Sequence, residues 1–365
     1  MEERFYYLGF SNFSGIGPIK FNKLIKHFGN AKSAWKGSGL ELEQIIGGSA
    51  AKRFEVFQKE FDIESYLKRL QKQKIKFVCL TDQEYPKLLR QIPNAPIILY
   101  IKGEESLLHS QIREDLRMIA IVGTRKITSY GREITKMFSQ SLSDAGLIIV
   151  SGMAYGVDGV AHQAVIDAGG KTIAVLGNGV DLPYPRENQK LYEDILDSNG
   201  AVISEFPPGA PPSVGSFPSR NRIVAGLSDG ILVTEGAEDS GSLITADYGF
   251  KFNRKVFAIP GPITSTLSAA PLRLIEKGAK LVISAEDILK ELDIKSIKGI
   301  KSIKSIKGAT KEEQRILEML ENESLHFDEI VRRLKIDSSK VGITLSMMEI
   351  KGLIKSSGGN YSLAP

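Results

Sequence analysis

The sequence predicts an α/β protein built on a doubly wound sheet, with a small helical domain before it and a winged helix after it. Three observations carry this. Short runs rich in Ile and Val recur between residues 118 and 283, separated by stretches long enough for crossover helices. Before residue 75 the apolar residues keep helical spacing instead. After residue 310 come three short amphipathic segments, then two strand-like ends around a Gly-Gly-Asn turn. At 365 residues, 42% hydrophobic and 25% charged, the chain holds enough apolar material for one large core and one or two satellites.

Residues 1–75 form the first predicted domain. Its turn Phe13-Ser14-Gly15-Ile16-Gly17-Pro18 leads into Phe21, Leu24, Ile25 and Phe28, one face of a helix that Gly29 terminates. The Gly-Ile-Gly turn resembles a helix-hairpin-helix, whose amides can touch phosphate. Plain turn punctuation in a helical domain explains the same glycines and is the preferred reading. Residues 76–293 form the core domain. Its strand-like runs are Met118 to Val122, Leu147 to Val150, Thr172 to Leu176, Ala201 to Ser204, Gly230 to Val233, Val256 to Ile259 and Leu281 to Ile283. The Ile-Lys-Ser and Ile-Lys-Gly triplets of residues 294–309 fit neither a helical nor a strand period, so they predict a flexible, extended linker. In residues 310–365, Thr310 to Leu320, Phe327 to Leu334 and Ser338 to Ile350 predict helices, and Leu353 to Leu363 predicts the wing.

The net charge of +5 is local. Lysines 295, 298, 301, 304 and 307 supply all of it with no acid between them, and the rest of the chain sums to about zero. Any nucleic-acid reading therefore has to rest on local clusters. The single cysteine, Cys79, excludes an intrachain disulfide and a thiolate metal site and suits a reducing cytoplasm. The start Met1-Glu2-Glu3-Arg4 lacks a signal-peptide pattern, and no apolar stretch approaches the roughly 18 residues of a membrane helix. Neither export nor a membrane partner is expected.

Doubly wound sheets bind ligands beyond the carboxyl ends of their strands. Those positions read Gly123-Thr124-Arg125, Ser151-Gly152-Met153-Ala154-Tyr155-Gly156-Val157-Asp158, Gly177-Asn178-Gly179, Ser204-Glu205-Phe206, Glu235-Gly236 and Pro260-Gly261. Glycines and small residues allow close backbone approach to anionic oxygen, although tight βα turns need them too. No GxGxxG and no GxxxxGK[ST] occurs, so neither dinucleotide nor triphosphate binding has a motif, and no cofactor is expected. Arg125, directly after the first run, suits bidentate phosphate contact. Arg220 and Arg222 precede another run, and Lys251, Arg254 and Lys255 the next. The spacing leaves two readings of these cations open: phosphate ligands, or a rim salt-bridged to Asp229, Glu235, Glu238, Asp239 and Asp247. His162 lies one helical turn after Asp158, but no nucleophile or metal ligand is spaced to join them, so a packing role is expected.

Together these segments resemble the bacterial DNA-processing protein A family. The matching stretches include Tyr85-Pro86-Lys87-Leu88-Leu89, Leu99 to Gly103, Val122-Gly123-Thr124-Arg125 with Tyr130-Gly131, and Ser151 to Asp158 with Ala161-His162. They continue with Thr172 to Gly179 and Tyr184-Pro185, then Phe217-Pro218-Ser219-Arg220-Asn221-Arg222, Ser240 to Ala246 and Phe257 to Gly261. The resemblance implies a helical N-terminal domain of helix-hairpin-helix or SAM-like type, an extended Rossmann-like core that binds single-stranded DNA, and a C-terminal winged helix. It further implies a homodimer that holds incoming strands in natural transformation and helps load the RecA recombinase, with no catalytic residues and no metal. By position it makes Gly123, Arg125, Ser151, Gly152, Phe217, Arg220, Asn221, Arg222, Lys251 and Arg254 the candidate DNA contacts. Two positions depart from the family pattern: Ala270 and Leu272 stand where Gly and Asn are usual. The alternative is a Rossmann-like nucleotide-binding enzyme of the nucleoside monophosphate hydrolase type. Such enzymes carry a Pro-Gly-Gly-x-Gly-Thr loop before a catalytic Glu, and here the stretch is Glu235 to Ser242. The winged helix carries eight Lys and Arg against nine Asp and Glu, so a protein-contact or regulatory role is expected of it rather than duplex reading.

Overall fold

The computed structural model describes residues 2–109, 116–294, 310–320, 323–350 and 353–363. The linker predicted at 294–309 lies outside them except for its first residue. Two compact units result, divided within that segment, and each is described by itself.

The first unit is organised by nine strands: β1 (Lys76–Cys79), β2 (Ile98–Gly103), β3 (Met118–Val122), β4 (Ile148–Ser151), β5 (Thr172–Val175), β6 (Ala201–Ser204), β7 (Gly230–Val233), β8 (Lys255–Ala258) and β9 (Lys280–Leu281). Their order is β1-β2-β6-β5-β4-β3-β7-β8-β9. From β6 to β9 every pairing is parallel, while β2 runs antiparallel to both β1 and β6. The parallel part starts at β3, steps outward to β6, then returns to the other side of β3 for β7 to β9. That reversal between β3 and β7 is where such sheets open a crevice.

The central strands are buried along their whole length, which is why they read as continuous apolar runs rather than alternating ones. Met118, Ala120 and Val122 share one core with Val150, Val175 and Val233, covered by Ile223, Val224 and Leu227 of the helix Ser216–Leu227. Ala174 and Val202 instead pack with Leu191, Tyr192 and Ile195 of the helix Gln189–Asp197. The sheet is thus a doubly wound, Rossmann-like α/β layer. Strands β1 and β2 extend it beyond the seven runs read from the sequence. Their residues are apolar enough to be strands, but the antiparallel joint to β6 is a tertiary pairing.

The helices between Glu3 and Lys72 enclose an aromatic core: Phe10 meets Phe21, Trp35 and Phe54, each at 5.2 Å between ring centroids. Cys79, Ile98 and Tyr100 of the sheet, with Ile97 just before β2, belong to that same core. The Tyr100 hydroxyl meets Ser11 Oγ at 2.7 Å and accepts from Asn12 Nδ2 at 3.0 Å. Residue 75 therefore marks a change of pattern and not a boundary of packing.

The second unit is a winged helix. Helices Lys311–Leu320, Phe327–Leu334 and Ser338–Ile350 surround Ile316, Leu317, Ile330, Leu334, Leu345 and Met348. Its sheet has the order β10 (Leu325–His326), β12 (Asn360–Leu363), β11 (Ile354–Ser357). Among the described residues, no helix is long and apolar enough to cross a membrane.

Candidate nucleic-acid interface

Beyond the carboxyl ends of β3, β4 and β7 lies an open crevice of about 770 Å³. Gly123, Arg125, Lys126, Phe217, Arg220 and Asn221 line it, with Asp158 at its floor and Asp239 at its rim. The helices Ser216–Leu227 and Ser242–Lys251 both begin at this crevice, each from a glycine N-cap without a side-chain cap, so their positive dipole ends face it.

The glycines are there to let chains touch. A Cβ on Gly152 would come within 2.5 Å of both terminal nitrogens of Arg220, whose guanidinium lies against the backbone there. Gly156 has φ +74°, and a Cβ on it would stand 2.2 Å from the Thr124 carbonyl. The close backbone approach that these glycines allow serves the fold's own contacts at several amides. Gly152 N and Ala154 N donate to the Asp158 carboxylate at 3.1 and 3.3 Å. Thr124 N donates to Glu235 O and Val157 N to Thr124 O, while Leu243 N and Ile244 N are taken by Ser240 O and Gly241 O. These turns therefore spend several of their own amides internally, and the side-chain cations take a correspondingly larger share of any attraction for anions.

Those cations divide sharply. Arg125 and Lys126 are exposed, and among the described residues neither side chain has a hydrogen-bond or ion-pair partner. Arg220 is 5% exposed. Its Nη1 donates to Gly152 O at 2.7 Å and to Val175 O, and its Nε to Asn221 Oδ1 at 3.2 Å. Burial lowers its pKa to about 10, with Asp158 opposing the shift and Arg125 adding to it, so it remains a cation at neutral pH. Desolvation raises the Asp158 carboxyl, against the pull of Arg220. Two guanidinium groups thus share one end of the crevice.

Other expected contacts are placed elsewhere. Arg222 forms a buried, two-pronged ion pair with Glu205, Nη1 to Oε1 at 3.0 Å and Nη2 to Oε2 at 2.6 Å. Its partner is the residue after β6, not Glu235 or Glu238, and it does not line the crevice. In a helix, residues two apart point to different sides, so Arg220 and Arg222 cannot share a ligand. Lys251 sits at the far end of the helix Ser242–Lys251, roughly 13 Å along its axis from the crevice. Arg254 lies beyond it and donates to Leu88 O at 2.9 Å. Both stand at the amino ends of the parallel strands. Ser151 is fully buried and its hydroxyl donates to Ile121 O at 2.6 Å. His162 is also buried, against Thr172 Oγ1 at 2.6 Å, in the packing role expected of it.

The geometry adds residues that the reading by spacing missed. Tyr184 stacks on Phe217 at 5.3 Å and 25° between planes, and Tyr155 stands beside them. Tyr184 and Tyr155 are 41% and 43% exposed, leaving ring faces open. Lys126 directly follows Arg125, and its position was legible. Tyr184 arrives from the loop after β5, a juxtaposition no local spacing reveals.

The sequence profile of DNA recombination-mediator protein A matches residues 76–293, and that of the DprA winged helix domain matches 304–360. The chain belongs to the DNA recombination-mediator protein A family. Among the family's proteins, it is 37% identical to Protein Smf of Synechocystis over 80% of this chain and 73% of that one. It is 39% identical to the DNA processing protein DprA of Bacillus subtilis over 68% and 82%. The X-ray structure of DprA from Streptococcus pneumoniae superposes with a TM-score of 0.69 at 35% identity, covering 79% of this chain and 97% of that one. DprA of Helicobacter pylori, whose structure concerns its single-stranded DNA binding mode, superposes with a TM-score of 0.53 at 30% identity, covering 60% and 95%.

Proposed function

We propose that the chain binds single-stranded DNA along this crevice, as a homodimer in the cytoplasm, and hands the strand to RecA recombinase during recombination or natural transformation. The observation that carries the reading is the exposed pair Arg125 and Lys126, without partners among the described residues, beside buried Arg220 and the exposed rings of Tyr184 and Tyr155, with Tyr184 stacked on half-buried Phe217. Cations that no acid neutralises address phosphate, and exposed rings stack on bases of any identity. The binding mode named for the Helicobacter pylori relative supports the choice of ligand. Gly123, Gly152 and Asn221 shape the wall, and Arg125 and Lys126 make the backbone contacts.

The alternative, nucleotide hydrolysis, needs a free carboxylate at the end of β7. Glu235 occupies that place, but its oxygens accept from Thr128 N at 3.0 Å and Thr128 Oγ1 at 2.5 Å, and it is 5% exposed. We read it as a structural link from β7 to the helix Ser129–Asp144, and the protein as a binder without turnover.

Binding of oligothymidylate and of duplex is to be measured across salt, beside a nucleotide-hydrolysis assay. Single strands are expected to bind more tightly, without sequence preference. Arg125→Ala lowers the slope of log affinity against log salt by about 0.7, the value for one phosphate on a single strand. Preference for duplex, an unchanged slope, or nucleotide turnover would each overturn the reading. Transfer to RecA is scored separately: filaments should form faster on strands carrying this protein, and no acceleration removes that part.

A further inference from the structure

A second basic concavity adjoins the crevice. It is a shallow trough of about 510 Å³ between the loop after β3 and the helices Ser129–Asp144 and Val157–Asp167. It shares Arg125, Lys126 and Ala154 with the crevice, so the Arg125–Lys126 loop is the ridge between the two. Arg132 stands on its far wall, in the first turn of the helix Ser129–Asp144, exposed and with no side-chain hydrogen bond or ion pair among the described residues. Gly156 and Gly159 form part of the floor, and no carboxylate lines the trough. Asn188 is there too, but its amide already donates to Met153 O at 2.9 Å.

Three cations without a lining acid, in a groove continuous with the crevice, form a track rather than a point site. We propose that the bound strand continues over the Arg125–Lys126 ridge into this trough, where Arg132 holds a backbone phosphate. The inference rests on the crevice reading and adds a direction and a length to it. A strand too short to cross the ridge gains nothing from Arg132; a longer one gains a phosphate contact. Tyr155 is the aromatic residue in the trough's lining, so what Arg132 itself adds is electrostatic, whereas the crevice combines charge with the stacked Tyr184 and Phe217.

The test uses the full chain and a length series of oligothymidylates, with Arg132→Glu, Arg125→Ala and a control, Lys277→Glu. Lys277 is an exposed lysine paired with Asp247 that lines neither concavity, and its change alters net charge equally. Arg132 is exposed, and an acid in the first turn of a helix suits its dipole, so Arg132→Glu leaves folding intact. On the shortest oligomers that bind, Arg132→Glu should match the parent. Past a threshold length it should bind about tenfold more weakly, the effect of one charged hydrogen bond, and its salt slope should fall by about 0.7. Equal loss at every length, no loss at any length, or an equal loss in Lys277→Glu would overturn the proposal. If Arg125→Ala weakens all lengths while Arg132→Glu weakens none, the crevice reading stands and the trough falls. If Arg125→Ala is also silent, both fall.

Discussion

Gly152 and Arg220 define each other: the glycine has no side chain because a guanidinium occupies the space one would take. Gly152→Ala should therefore displace Arg220 from the Gly152 and Val175 carbonyls and weaken single-strand binding. Retained affinity in that variant would show that Arg220 only braces the strand ends. His162 behaves differently. Burial holds its pKa down to about 3, against roughly 6.5 in an unfolded chain. Below pH 6.5 the unfolded chain takes up a proton that the folded one refuses, so stability falls as the pH drops from about 6.5 towards 3. Between pH 7 and pH 5 this amounts to about 2 kcal/mol. In His162→Leu, the gap between urea unfolding free energies at pH 7 and pH 5 should narrow by that amount relative to the parent. An unchanged gap would mean the ring is protonated in the folded state.

The helix Ser216–Leu227 works on two faces. One presents Phe217, Arg220 and Asn221 to the crevice, and the other sends Arg222 into the pair with Glu205 that ties the helix to the end of β6. Arg222→Ala leaves a buried carboxylate without its partner and should cost about 3–5 kcal/mol, read as a lowered Tm with the salt slope of binding unchanged. Replacing both members, Arg222→Met with Glu205→Gln, should recover most of that loss. A reduced salt slope in Arg222→Ala would return this arginine to the binding surface. Phe217 belongs to the crevice face, where Tyr184 from the loop after β5 stacks on it. Alanine at either should cost about 1–3 kcal/mol of binding, largely independent of salt; a fall in Tm with full affinity would make the stacked pair a packing feature.

Across the whole molecule, the N-terminal helices and the sheet share one core. A chain starting at residue 76 would expose Cys79, Ile97, Ile98, Tyr100 and Val180 together. It should bind a hydrophobic dye and lose its cooperative thermal transition; a soluble, sharply melting fragment would show that the helices merely rest on the sheet. The lysines at 295, 298, 301, 304 and 307 act at the same scale through charge alone. Changing all five to serine should weaken strand binding modestly and mainly at low salt, where screening is least. Binding abolished at moderate salt would move the main contact out of the crevice.

What the sequence determined by itself was periodicity and local chemistry. Continuous Ile and Val runs between helix-length spacers can only be covered on both faces, so the parallel strands β3 to β8 and the place of the crevice were legible. Arg125, directly after the first of these runs, was legible for the same reason. The tertiary structure decided what depends on approach between distant segments. It paired Arg222 with Glu205, put Lys251 and Arg254 at the opposite end of the strands, and let Asp158 consume amides that spacing left free. It also stacked Tyr184 on Phe217 and brought Arg132 to the trough beside Lys126. Spacing along a chain reports which face a residue takes within its own element, whereas a charge becomes free or paired only when another element arrives beside it.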